Sequence, residues 1–550
     1  MIISNWTAKL GLLGAATLSI VLPSVASSPG QPDSDRSAAH IRAHMTFLAS
    51  DLLQGREAGS DGYRIAAEYV ASHLAQFGAK PAGDDGTYFQ TVPLLAYRPA
   101  EHGSLVLRKK SGIPEALEFG RDFLPGRQAG MPEVSLDAPA VFVGFGVVAP
   151  ERGRDDYKGL DVRDKIVVVL SGAPSSLSGE ERAYYASGAT KRIEAARRGA
   201  KGMVIVLAPS DEKRRPFESI VKQWQSWGMS WQQKDGTAHD VAPQTPLLAT
   251  ISVAGAQKLF AGARSSWDRI VADADKPKGT PQRFALPLSI DVTLRTEERR
   301  MTSVNVAGLI EGADPALKNE VVVLTAHLDH IGLTPGEDDQ INNGALDNAS
   351  GIATLIEVAR AFQTSAEPPR RSVLILAVTA EEKGLVGSDY FARHPTIAAD
   401  SLTAVVNLDM PILTYDFTDV IAFGAGRSSI EAAVQAASQR VRVALSPDPL
   451  PDEGLFTRSD HYRFVQQGVP SIFLMTGFQN GGEAQFTSFL KNCYHKPCDD
   501  LAQAVNYPAG AKFARLNYEI ASELANADER AQWKAGDFFA TKYGKPSGPP

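Results

Sequence analysis

The chain has 550 residues, 43% hydrophobic and 22% charged, with a formal net charge of −7. That composition excludes disorder, collagen and coiled coil as descriptions of the whole chain, and a mildly acidic chain with no basic stripe is a poor partner for nucleic acid. At about 100–200 residues per domain, the length predicts two to four domains.

Lys9 is the only charge before Asp33, residues 10–22 are a short apolar run, and Ser24-Val25-Ala26-Ser27 offers small residues for cleavage. The pattern predicts a secretory signal over residues 1–26, because the run is too short for a membrane helix. No later stretch reaches the roughly 18 apolar residues that a span needs. The expectation is export to the periplasm or the medium, with no membrane span after cleavage. The two cysteines, Cys493 and Cys498, then most simply form one disulfide. Thiolate metal ligation competes less well, since no other cysteine exists to complete such a site.

Residues 41–77 have helical periodicity, interrupted by the Gly- and Asp-containing stretch 55–62. A turn at 83–86 leads into a strand-rich part from 89. Runs at 140–148, 165–170 and 202–207 read as strands, with an amphipathic helix at 191–199. They make a compact α/β unit, assigned to 136–290, between an N-terminal part at 37–135 and the main domain at 291–530. Gly144 and Gly146 lack the third glycine and the helix of a nucleotide fingerprint. From 303, strands at 303–310, 321–326, 372–379, 404–408, 420–423 and 471–475 alternate with helices at 350–362, 385–394, 429–438 and 509–525. This predicts a doubly wound α/β fold, a mainly parallel sheet with helices on both faces and its site at the carboxyl ends of the strands. Residues 531–550 are expected to form a flexible tail.

The strand ends carry the chemistry. His327 and Asp329 follow the strand at 321–326, Asp347 follows a Gly/Asn-rich loop, and Glu381 and Glu382 follow 372–379. Asp409 follows 404–408, and Tyr494 and His495 come near the end. Two histidines and several carboxylates, with no thiolate, have the composition of a zinc site. Five ligands are too many for one catalytic zinc with an open position and suit two metals about 3.5–4 Å apart, bridged by one carboxylate. Asp329 can accept the other ring N–H of His327. Adjacent Glu381 and Glu382 should diverge, so that one binds metal while the other serves as general base. Taken alone, each group has an ordinary reading: the glutamates as a helix start, Asp347 as an N-cap. The conjunction carries the inference. His330, His394 and His461 read as packing or surface residues, His330 being the most easily mistaken for a ligand.

The strings Thr325-Ala326-His327-Leu328-Asp329-His330, Gly344-Ala345-Leu346-Asp347-Asn348-Ala349-Ser350-Gly351, Ala380-Glu381-Glu382-Lys383-Gly384, Asn407-Leu408-Asp409-Met410, Arg458-Ser459-Asp460-His461 and Tyr494-His495-Lys496-Pro497-Cys498-Asp499 resemble those of the exported di-zinc aminopeptidases of metallopeptidase clan MH, family 28. More specifically, they resemble those of larger bacterial members with an inserted protease-associated (PA) domain. Residues 47–59 and 81–93 are also similar to family members. The resemblance implies a zinc-peptidase, phosphorylase/hydrolase-like fold, two Zn²⁺ per chain and peptide substrates with a free N-terminus. It implies that Asp347 bridges the zincs, with His327 and Asp409 on one and Glu382 and His495 on the other. Glu381 would be the general base, Asp329 would orient His327, and Tyr494 would hydrogen-bond the developing oxyanion. Cys493 and Cys498 would brace the loop bearing Tyr494 and His495, and Asp347-Asn348 would be a cis peptide. Arg458 would either contact the substrate backbone or support its loop. Related di-zinc carboxypeptidases or dipeptidases, a one-zinc cyclotransferase and a non-catalytic transferrin-receptor-like protein are the rival readings. The place of the extra domain before His327, and the intact ligand set, favour the aminopeptidase.

Overall fold

The computed structural model describes residues 31–109, 112–336 and 338–544; the expected signal, residues 1–26, lies outside them. The main sheet is built from β1 (Phe284–Ile310), β2 (Val321–His327), β3 (Ser372–Val378), β4 (Leu402–Leu408), β5 (Asp419–Phe423), β6 (Ala444–Ser446) and β7 (Ser471–Thr476). Its spatial order is β1-β3-β2-β4-β7-β5-β6. Strands β3, β2, β4 and β7 are mutually parallel, and β1 and β5 run against them.

Every residue of β2, β3, β4 and β7 is buried. This explains their unbroken apolar runs: helices cover both faces, so no alternation is needed. Val322 and Leu324 of β2 pack on one face with Ile41 and Met45 of helix Gln31–Leu48, Val70 and Leu74 of helix Asp61–Gln76, and Ile352 and Leu355 of helix Ser350–Thr364. Val321 and Val323 point the other way, toward Phe391 and Phe464. The period-two alternation of the pleat thus feeds two cores.

β1 joins two sheets. Its residues 306–310 pair with β3, residues 296–306 with Phe89–Pro99, and residues 288–293 with Ser104–Lys109. The second sheet has a parallel centre of Glu133–Phe142, Ile166–Leu170, Gly202–Val206 and Leu247–Ile251. Phe123–Pro125 adds an antiparallel edge. Strands from residue 104 onward thus pair into the sheet of the smaller unit, ahead of its expected start at 136. Those early strands are antiparallel partners of segments far along the chain, and local pattern does not reveal partnership.

The two units are pinned together. Trp231 Nε1 donates to Asp389 Oδ2 at 2.7 Å, and Arg182 pairs with Asp452 at 2.9 Å. Arg427 reaches Glu180 of the smaller unit and, at 2.7 Å, Asp537 of the C-terminal segment. Within residues 531–550, expected as a flexible tail, the described part includes a docked helix. Helix Phe538–Tyr543 buries Phe539 completely, with ring centroids 5.2 Å from Phe456 and 5.8 Å from Tyr462. Paired aromatics anchor a segment whose end composition reads as polar and Pro-rich. Among the described residues, no helix is long and apolar enough to cross a membrane.

Phe539→Ala should lower stability by about 3–5 kcal/mol, the usual range for a buried Phe. Denaturant unfolding with an unchanged transition would show that the C-terminal segment carries no load.

Candidate metal centre

His327 closes β2, Asp347 lies in the turn before helix Ser350–Thr364, the two glutamates follow β3, and Asp409 follows β4. Tyr494 and His495 lie just after helix Gly482–Asn492. The topology brings all the expected ligands together around Asp347. Asp347 Oδ1 lies 3.3 Å from His327 Nε2, which is 3.1 Å from Asp409 Oδ1. Asp347 Oδ2 lies 3.3 Å from His495 Nε2, which is 3.0 Å from Glu382 Oε2.

Two donor groups therefore meet on opposite oxygens of one carboxylate. Zinc–ligand bonds of roughly 2.0–2.1 Å at tetrahedral angles separate neighbouring ligand atoms by roughly 3.3 Å, which matches these spacings. His495 Nε2 is buried and makes no hydrogen bond to either neighbouring carboxylate, as fits a nitrogen facing a shared cation. Imidazole and carboxylate donors without thiolate suit zinc. The residues present fit two ions.

Hydrogen bonds hold most of these side chains in place. His327 Nδ1–H donates to the Asp329 carbonyl at 3.1 Å, which leaves Nε2 facing the centre. This corrects the expected role of the Asp329 side chain: its carboxylate instead accepts the backbone N–H of Glu381 at 3.1 Å and of Glu382 at 3.3 Å. The chain turns after β2, so the carbonyl meets the ring and the side chain meets the end of β3. Burial pushes Asp329 up to about 6, opposed by His327. Asp409 Oδ2 accepts from Ser459 Oγ at 2.6 Å.

Asn348 ties the Asp347 turn to the Asp409 loop and to the helix that follows. Its Nδ2 donates to the Leu408 carbonyl at 3.0 Å, and its Oδ1 accepts from the N–H of Gly351 and Met410. The Asp347-Asn348 peptide is cis. Asp499 clamps the turn before it: its carboxylate accepts the N–H of Leu346 at 2.9 Å and of Asp347 at 3.0 Å, and its carbonyl accepts that of Ala345. Behind the turn lies Arg56, 1% exposed. It donates to the carbonyls of Leu48, Leu328, Asn343 and Gly344. Burial draws Arg56 down to about 10, while Asp499, Asp329 and Asp347 oppose the shift. Asn348, Ser459 and Asp499 sit inside the strings quoted above, but their partners are visible only once the loops meet. A buried arginine such as Arg56 has no sequence signal except its setting among glycines.

Cys493 and Cys498 form the expected disulfide, with Cα atoms 5.1 Å apart. Tyr494 stacks on His495 at 3.8 Å. Burial, then the carboxylates of Asp347, Glu382 and Glu381, hold its phenol well above its usual range, so it stays a neutral donor. Burial likewise lifts Glu381 well above the usual carboxylate range, against the pull of His327 and with help from Asp409 and Asp460. Arg458 is exposed and lies 3.6 Å from Glu453; it is not brought into the ligand set. Three non-glycine residues at or beside ligands have positive φ: Ala380 at 53°, Met410 at 46° and His495 at 58°. Such backbone strain gathers at functional sites. Of the histidines read as packing, His461 is buried between Phe456 and Phe473. His330 is instead drawn into the centre, with Nδ1 2.7 Å from Glu382 Oε1.

Among known proteins, residues 305–521 match Peptidase family M28. A probable leucine aminopeptidase 2 of Aspergillus oryzae is 28% identical over 197 residues, 34% of this chain and 37% of the relative. A probable zinc metalloprotease of Pyricularia oryzae is 26% identical over 332 residues, 53% of this chain and 62% of the relative. The chain thus spans between about a third and three fifths of the length of these curated relatives. An aminopeptidase structure from Aneurinibacillus sp. strain AM-1 shares the fold, with a TM-score of 0.52 and 19% identity over 92% of this chain and 98% of that one. The match to Peptidase family M28 covers residues 305–521, the part of the chain that carries the strand-end histidine and carboxylates.

Proposed function

We propose that this chain is an exported metallo-aminopeptidase that removes N-terminal residues from peptides with a free amine, using two zinc ions. The observation that carries the reading is the Asp347 carboxylate, whose two oxygens face two separate donor groups. His327 and Asp409 would complete one ion, and Glu382 and His495 the other. Zinc so held supplies Lewis acidity and lowers the pKa of water toward neutrality. The curated relatives named for aminopeptidase and zinc metalloprotease activity support the same class.

The chain's own residues supply the rest. Glu381 takes the proton of the attacking water and passes it to the leaving amine. Tyr494, held protonated, donates to the oxyanion as it develops. The Cys493–Cys498 disulfide keeps Tyr494 and His495 on one short loop, and it is consistent with an oxidising compartment. The signal-like residues 1–26 point to the same export. Arg458, exposed and 3.6 Å from Glu453, would contact the substrate backbone or support its loop. The smaller α/β unit, read as PA-like, would border the path to the site.

Glu381→Gln should keep both zincs and lose about 10²–10⁴-fold in rate; near-normal turnover would remove Glu381 as the base. His327→Ala should lower zinc content, and unchanged metal analysis would refute its assignment. Mass spectrometry of matched free and N-acetylated peptides should show stepwise N-terminal loss from the free set alone, abolished by chelation. Release from the C-terminus of blocked peptides would favour a carboxypeptidase instead.

A further inference from the structure

His330 is completely buried and belongs to neither ligand pair proposed above. Its place is nevertheless built. The ring lies against Gly344, where a Cβ would come within 2.6 Å of its Cγ, and Gly344 has φ of 60°. The His330 N–H donates to the Arg56 carbonyl at 3.2 Å, and Arg56 in turn donates to the Gly344 carbonyl. A bulkier residue at 344 would push the ring out of position.

Distances separate a ligand from a supporting group. His495 Nε2 stands 3.0 and 3.3 Å from its two carboxylate neighbours, close to the roughly 3.3 Å expected of atoms sharing one zinc. His330 Nδ1 stands 2.7 Å from Glu382 Oε1 but 3.9 Å from Asp347 Oδ2. The first is the length of a charge-assisted hydrogen bond, and the second is longer than the roughly 3.3 Å of neighbouring ligand atoms on a tetrahedral zinc. The two histidines also take opposite oxygens of Glu382: Oε1 faces His330 and Oε2 faces His495.

We propose that His330 is a positioning residue of the metal centre, which holds Glu382 by Oε1 so that only Oε2 faces the ion shared with His495 and Asp347. The assignment rests on the two-zinc reading. A carboxylate tied by one oxygen binds through the other alone, and this leaves room at that ion for water or substrate.

The test is calorimetric titration of Zn²⁺ into chelator-stripped protein, with circular dichroism to confirm folding and no dependence on turnover. Wild type should take two ions. His330→Ala should weaken the second about 10–100-fold, as loss of a ligand's supporting hydrogen bond does, and leave the first unchanged. His330→Asn, whose side-chain N–H can replace that of Nδ1, should restore near-normal binding. His495→Ala should lose the second ion. If His330→Asn loses that ion as fully as His495→Ala, His330 is a ligand and the proposal fails; this comparison decides even if the alanine variant does not fold. Wild-type affinity in folded His330→Ala overturns the proposal alone. A wild type that takes up no zinc overturns the two-ion reading and the proposal with it.

Discussion

Asp347, Glu382, Asp329 and Asp409 lie buried or nearly so at the carboxyl edge of one sheet, in company with Glu381. Carboxylates taken out of water and set side by side repel one another, and burial alone makes their charged form costly. The rest of the site follows from offsetting that cost. Part of the compensation comes from the protein itself: buried Arg56 behind the Asp347 turn, and main-chain N–H groups aimed at Asp329 and Asp499. The remainder matches cations that Asp347 would hold together with two imidazoles and two further carboxylates.

The same constraint explains why the ligand loops are tied so closely to one another. Groups that are to share an ion need fixed positions, and several are held by a partner on a different loop. Asn348 connects the turn of Asp347 to those of Asp409 and the following helix. Asp499, one residue beyond the disulfide, fastens the loop of His495 to the backbone of Asp347. The parallel strands supply the rigid edge. Their register sets His327 of β2 beside Val378 of β3, so the residues that follow the two strands meet above the sheet.

The smaller α/β unit is part of the same architecture. One 27-residue strand runs from its sheet into the main one, and side-chain bridges pin the faces together at Trp231–Asp389 and around Arg427. Helix Val386–Arg393, which bears Asp389, begins shortly after Glu381 and Glu382. The docking of the two units is thereby linked mechanically to the loop that carries the proposed base.

Much of this was legible in the residues. Buried parallel strands have to be continuous apolar runs, and the helices between them have to repeat with a period near 3.6, so the main sheet could be read strand by strand. The ligand types at the strand ends were legible for a similar reason: metal chemistry restricts them to a few residues. What depended on tertiary structure was partnership. Strands from residue 104 onward joined a sheet whose other members come later, and the segment after 531 packed through Phe539. Asp329 turned its carbonyl to His327 and its carboxylate to Glu381 and Glu382. His330 joined the centre although its neighbours in sequence mark it only as a strand-end histidine. Periodicity and residue chemistry are local properties that a linear chain carries within itself. Which oxygen faces which nitrogen depends on how distant loops pack, and that is decided only when the chain closes on itself.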